Sequence, residues 1–277
     1  MIRREVGDEY WLITQNDHAI LSGQLAEQFG AGGAQALAPA VIAGIAMHDA
    51  GWPLHDEAPT LNNDHIPIDV FESRREVALK VWSASAKRAA IVDPYAGLLV
   101  SLHSLALSVF AATQTSFKHE KVDMSDPRTR FDMNKFQHGQ IELQEKLRAQ
   151  LGMRTDLPIR NGLSEESDDL RERQLIFDFR LLQALDKLSL AICCTKPPFP
   201  KIEPLLRNPG EAPIALSVTR PSSDRLLVKP WLFRVREIAL RVSYKAIPAR
   251  RYESEVDFRR QYGEAPVQSF NCTATTG

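Results

Sequence analysis

Five side chains define the chemistry open to this sequence: His18, the adjacent His48 and Asp49, His103 and Asp186. Imidazole and carboxylate together suit zinc, manganese or iron, and with further oxygen ligands magnesium. Apolar spacing turns each of them inward. His18 shares a helical face with Leu21, Leu25 and Phe29, and His103 shares one with Ala96, Leu99, Leu107 and Phe110. Asp186 stands in the stripe Leu175, Phe179, Leu182, Leu190 and Cys193. A carboxylate there must pair with a cation, accept several hydrogen bonds or bind a metal, because burying it alone is costly. The sequence offers few obvious buried cations, and His48-Asp49 falls at a predicted helix C-terminus, whose partial negative charge favours a positive ion.

Each residue also has a plainer reading. His18 can be a core or capping histidine, His48-Asp49 a polar helix end, and Asp186 the partner of an inward Arg or Lys. His103 can ligate a second metal or contact the substrate. Asp56 and Glu57 follow the dipeptide, where a carboxylate near a metal-bound water would serve as general acid or base; otherwise they are exposed loop acids. Gln15, Asp17 and Trp52 can border the pocket, Trp52 being otherwise a core plug. His55 and His65 extend the ligand set to a dinuclear one only if their Pro/Asn-rich loop folds inward.

Positioning these groups requires the following elements. A strand ends at Trp11-Leu12-Ile13, and Thr14-Gln15-Asn16-Asp17 has the form of a capping box opening the His18 helix, which Gly30 and Gly32-Gly33 stop. From Pro39 to Asp49 the chain is apolar all round, as in an enclosed helix, with Gly51 and Pro53 ending it. Leu54 to Val70 reads as a loop. Helices follow over about 71–91, 94–113, 128–151 and 165–194, the last stopped by Pro197-Pro198. Beyond Pro200 the period changes to two, in Ile214-Leu216-Val218, Leu226-Val228 and Leu240-Val242-Tyr244-Ala246. Asn271 to Gly277 has the composition of a tail.

The ordered set His18, His48-Asp49 and Asp186 resembles the HD-domain superfamily of metal-dependent phosphohydrolases, in which four such side chains converge on one metal. Ile13-Thr14-Gln15-x-Asp17-His18-Ala19, His48-Asp49-x-Gly51-Trp52 and Tyr95-Ala96-x-Leu98-Leu99-Val100-Ser101-Leu102-His103 resemble more closely an uncharacterised bacterial branch of HD-like proteins, a domain of unknown function, over residues 10–250. The resemblance implies a mainly α fold: an HD-like helical bundle, close to all-α, with a small antiparallel sheet from the C-terminal quarter and the N-terminal strand. It implies one domain over 1–277, with a helical metal-binding core at 10–200 and a β appendage at 201–270. It also implies a divalent ion (Mn, Mg, Zn or Fe), one rather than two, on His18, His48, Asp49 and Asp186. Asp56 and His103 are then catalytic candidates, and Gln15, Trp52 and Lys187 candidate contacts to a small, phosphorylated substrate. HD-type nucleotidases carry a Glu close behind the dipeptide, where this chain has Gly51-Trp52. Di-iron oxygenases of the same fold add histidines between the dipeptide and the last Asp, as His103 does here. A non-catalytic metal- or ligand-binding module is the third reading.

Composition narrows the field. The 277 residues, 44% hydrophobic, can bury a full core, and 34 basic against 35 acidic residues leave a formal charge of -1, so no overall field recruits nucleic acid or anionic membrane. Arg250-Arg251 and Arg259-Arg260 lack interleaved aromatics for base stacking. No signal peptide or membrane-span pattern occurs, and Cys193, Cys194 and Cys272 lack CxxC spacing, which together predict a cytoplasmic protein with reduced thiols. No GxGxxG, P-loop, HExxH or GxSxG occurs. A sheet with a free edge would be compatible with a homo-oligomer.

Overall fold

The computed structural model describes residues 1–30, 36–113, 123–155 and 169–276. The chain opens with a hairpin of β1 (Ile2–Val6) and β2 (Glu9–Ile13). Thr14 then caps α1 (Gln15–Gln28), its hydroxyl accepting from the Asp17 N–H at 3.0 Å and donating to the Asp17 carboxylate at 2.6 Å. Next come α2 (Pro39–Ala46), α3 (Pro53–Asp56), α4 (Arg75–Val92), α5 (Pro94–Thr113), α6 (Pro127–Gln150) and α7 (Leu170–Cys193). The chain then forms β3 (Lys201–Leu205), β4 (Ile214–Ser222), β5 (Arg225–Lys229), β6 (Glu237–Pro248), α8 (Glu255–Glu264) and β7 (Val267–Thr275).

All seven strands join one sheet in the order β1-β2-β6-β7-β5-β4-β3, antiparallel except where β5 meets β7. Half of the protein is helical and 22% is strand, and the sheet curls into a half-barrel. The fold is therefore mixed α and β, which corrects the expectation of a mainly α, nearly all-α bundle with a small sheet. Two segments make the difference. The N-terminal strand is a full hairpin, and β2 pairs with β6, bringing Leu12 opposite Lys245. The apparent tail from Asn271 is the second half of β7, between β6 and β5. Its small and polar residues hid the strand, yet Cys272 and Ala274 alternate inward at 1% and 0% exposure, and threonine favours extended backbone. A further helix, α8, occupies a stretch that sequence periodicity left unassigned.

The concave face of the sheet, through Leu216, Val218, Leu226, Val228, Leu240 and Val242, shares one apolar core with α1, α2, α5 and α7. Each such side chain removed from water contributes roughly 1.5–3 kcal/mol. Sixteen of the 24 residues of α7 are buried, so this helix faces protein on most sides and a carboxylate on it must be satisfied internally. α2 ends at Ala46, three residues short of the predicted end, and His48-Asp49 lie in the turn beyond it. Phe110, predicted inward on α5, is 41% exposed. Gly32, Gly33 and the predicted helix start at 165–168 lie outside the described residues. Among the described residues, no helix is long and apolar enough to cross a membrane.

Candidate metal centre

Four elements bring the predicted ligands together. His18 sits in the first turn of α1, His48 and Asp49 in the turn after α2, His103 midway along α5, and Asp186 in the second half of α7. His18, His48 and Asp186 offer ligand atoms that all lie within 4.8 Å of one another. The His18 Nε2 is 3.2 Å from the His48 Nε2 and 3.1 Å from the Asp186 Oδ1. The Asp49 Oδ2 stands 3.7 Å from the His18 Nε2 and 3.6 Å from the His48 Nε2. His103 joins from the other side of Asp186, its Nε2 3.6 Å from the Oδ2. The histidines and Asp49 are buried, while the Asp186 side chain keeps 14% exposure, which leaves one side of the cluster within reach of solvent.

Hydrogen bonds around the cluster fix which nitrogens face it. The His48 Nδ1 lies 2.8 Å from the Ile45 carbonyl, an acceptor only, so this nitrogen carries the proton and the Nε2 is a bare lone pair. The Ser189 hydroxyl donates to the Asp186 carbonyl at 2.8 Å, and its oxygen lies 2.5 Å from the His18 Nδ1. With the single hydroxyl proton so used, the His18 Nδ1–H donates to Ser189 and its Nε2 is bare as well. Ser22 supports Ser189 from α1 at 2.9 Å. Asp49 is held by the Trp52 indole, whose Nε1–H donates to the Oδ1 at 3.1 Å and leaves the Oδ2 to face the histidines. Support of this kind sets the tautomer and orientation of metal ligands.

With both Nε2 atoms unprotonated, two nitrogen lone pairs and the facing carboxylate oxygens meet with no donor between them, an arrangement that repels itself unless a proton or another cation occupies it. A proton can fill that place. Burial works against charge on His48, yet Asp49 and Asp186 outweigh it and raise its pKa to about 9. Burial likewise works to raise Asp186, but hydrogen bonds from His18 and His48 hold it well below the usual carboxylate range. A divalent ion fits the same place. Neighbouring ligands around an ion bound at about 2.0–2.1 Å are separated by about 3.3 Å, close to the 3.1–3.6 Å spacings among the His18 Nε2, the His48 Nε2 and the Asp186 Oδ1, and imidazole with carboxylate suits zinc, manganese or iron.

Other candidates fall elsewhere. The Asp56 Oδ1 accepts from the Met1 amine at 3.0 Å and its Oδ2 from the Gln15 N–H at 2.9 Å, so the expected proton-transfer acid is engaged in tying the N-terminal strand to α1. Gln15 is buried, and its side-chain Nε2 has no partner among the described residues. Trp52 is 2% exposed, which rules out a broad substrate contact and gives it the task of orienting Asp49. Lys187 turns away, its Nζ 5.6 Å over the Phe199 ring. His55 packs at the edge of Trp52, and exposed His65 lies 3.1 Å from the Tyr252 carbonyl; neither extends the ligand set. Asp17 serves the α1 cap. Ser189 and Ser22 were missed from the sequence, although Ser189 follows Asp186 by three positions and therefore shares its helical face.

Gly51 explains the departure from the nucleotidase pattern. A Cβ there would stand 2.0 Å from the Val81 carbonyl and 2.7 Å from the Ser85 nitrogen, so no glutamate fits in this turn. The Gly51 N–H instead donates to the Ser85 hydroxyl at 2.8 Å, pinning the turn that carries His48-Asp49 to α4.

The chain belongs to a family of proteins of unknown function (DUF3891), whose model matches residues 1–249. No curated protein matches it, and no solved structure does.

Proposed function

We propose that this member of the DUF3891 family is a metal-dependent phosphohydrolase acting on a small phosphoester, with one divalent ion held by His18, His48, Asp49 and Asp186. One observation carries the reading: the two imidazole Nε2 atoms and the Asp186 Oδ1 converge at 3.1–3.6 Å, with the Asp49 Oδ2 3.6–3.7 Å from both nitrogens. The choice of phosphoryl chemistry rests on the resemblance to the HD-domain superfamily, which is an analogy of ligand pattern. When bound, such an ion polarises a phosphoryl oxygen and lowers the pKa of water beside it.

The chain's own residues prepare that step. Ile45 and Ser189 keep the protons of His48 and His18 on the far side of each ring. Trp52 fixes Asp49, and the packed walls of α1, α5 and α7 exclude water from all but the Asp186 side. With Asp56 engaged elsewhere, His103 is the remaining titratable group beside Asp186. Burial lowers its pKa to about 3, so the ring stays neutral and is a weak proton acceptor, and its Nδ1 has no hydrogen-bond partner among the described residues. A neutral ring of this kind can ligate a metal or donate a hydrogen bond to the substrate.

Purified protein stripped of metal, then loaded with Mn, Mg, Zn or Fe, is assayed on p-nitrophenyl phosphate and bis-p-nitrophenyl phosphate. Metal-dependent turnover that Asp186→Asn abolishes is the expected result. No turnover with any of the four ions bound and the fold intact would reject the reaction. Two irons per chain would favour the oxygenase reading, in which Asp49 bridges the two ions and His103 is an added ligand.

A further inference from the structure

Away from the metal centre, a cleft of about 650 Å³ opens where the start of α2, the start of α5, the end of α6, the start of α7 and the loop after β3 meet. Tyr95 and Asp178 lie on the helices that carry His103 and Asp186, about two turns before them, so the cleft sits roughly 12 Å along the helices from the cluster. Its walls are largely apolar: Phe29, Leu37, Val41, Met153 and Phe177 contribute to it. Polar groups are confined to two places. At the wall, Tyr95 donates to the Asp178 Oδ2 at 2.6 Å and Gln174 to the Oδ1 at 3.0 Å, which satisfies that buried carboxylate within the protein. Arg171 and Arg207 supply two guanidinium groups. Arg171 spends one nitrogen on the Gly152 carbonyl at 3.1 Å, and Arg207 is exposed with no partner among the described residues. Among the described residues that line the cleft Asp178 is the one carboxylate, and both its oxygens are engaged. The first turn of α2, where no side chain caps the helix, adds its partial positive charge to the same wall.

An apolar hollow with two guanidinium groups and no free carboxylate among its described lining residues is complementary to one kind of occupant. We propose that this cleft binds a small organic monoanion with an apolar body, its acid group held by Arg171 and Arg207 and its body packed against Phe29, Leu37, Val41 and Phe177. The site is separate from the metal centre and does not rest on the phosphohydrolase reading.

The test titrates the full chain with decanoate, and with decanol as the uncharged counterpart, by calorimetry and by displacement of 1-anilinonaphthalene-8-sulfonate. Decanoate should saturate one site, and decanol should bind about tenfold or more weaker, the loss expected for charge-assisted hydrogen bonds. Arg207→Glu, at an exposed position, should weaken decanoate by about tenfold or more without changing the thermal melt. Ala40→Trp, which fills the cleft, should abolish saturable binding, whereas Asp186→Asn should leave it unchanged. The absence of saturable decanoate binding in folded protein would overturn the proposal. So would equal binding of acid and alcohol, or binding indifferent to both cleft substitutions.

Discussion

The Nε2 atoms of His18 and His48 face each other 3.2 Å apart, and each ring has its Nδ1 proton committed behind it, one to the Ser189 hydroxyl and the other to the Ile45 carbonyl. Two imidazoles do not turn their lone pairs toward each other without something positive between them. Asp49 and Asp186 bring carboxylates to the same place, and on this arrangement the proposed metal site rests.

The first prediction concerns stoichiometry. After chelation and reloading, the protein should retain one divalent ion per chain, counted by mass spectrometry of the metal. Asp186→Ala removes the oxygen nearest His18 and should weaken retention by more than about 100-fold, since even indirect support of a ligand is worth 10–100-fold. Equal metal content in the two proteins would show that the ion binds elsewhere.

Orientation of Asp49 gives a subtler variant. Trp52→Phe keeps most of the buried ring but deletes the N–H that holds the Asp49 Oδ1. Metal affinity should fall by about 10–100-fold while the ligand set stays complete. Competition with a fluorescent chelator measures it; an affinity equal to wild type would mean that packing alone orients the carboxylate.

The charge on His48 predicts a pH dependence. In the metal-free protein its pKa is raised from 6.5 to about 9, so the folded state binds the proton more tightly than the unfolded state. That contribution to stability is fully present below about 6.5 and is lost as pH rises through about 9. A metal displaces the same proton. Binding at pH 7.5 should therefore release about one proton per ion, read by calorimetry in buffers of differing ionisation enthalpy, and metal stabilisation should grow with pH. A binding enthalpy independent of the buffer would contradict this.

Two glycines separate crowding from propensity. Gly51→Ala drives a methyl group into the Val81 carbonyl and should cost about 3 kcal/mol or more, loosening the turn that carries His48-Asp49. Gly139, exposed within α6 with nothing within 4 Å of its added Cβ, should gain about 0.5–1 kcal/mol as alanine. Thermal melts of both variants suffice, and similar shifts in the two would count against the steric argument.

Most of the cluster was legible because inward-facing polar residues violate apolar periodicity, as Asp186 does among Leu182 and Leu190. The capping box at Thr14 and the stop at Pro197-Pro198 were legible for local reasons as well. The sheet was not. β2, with β1 at its outer edge, pairs across more than 200 residues with β6, and β7 is written in Ser, Asn, Cys and Thr, so no local pattern announces either. The roles of Asp56 and Trp52 were equally hidden, because a carboxylate or an indole near a site in sequence does not reveal which atom it will meet. The pairing of Tyr95 with Asp178 was hidden too, since the two become partners only once α5 and α7 pack together.

Asp178 supplies the last prediction. It is 1% exposed and has no cation beside it, only the Tyr95 hydroxyl and the Gln174 amide as donors. Burial outweighs those two hydrogen bonds and raises its pKa from 3.8 to about 6. Below 3.8 the carboxyl is protonated in both the folded and the unfolded chain, and nothing is lost. Between 3.8 and about 6 the unfolded chain releases the proton while the folded one retains it, so stability falls as pH rises across that window. The full penalty, about 3 kcal/mol, applies above it. Asp178→Asn keeps an acceptor for the Tyr95 hydroxyl and cannot ionise, so the difference in stability between variant and wild type should move in the variant's favour as pH rises from 4 to 7. Denaturant unfolding at the two pH values measures that difference, and a gap that stays constant would show that Asp178 is ionised at no cost in the folded protein.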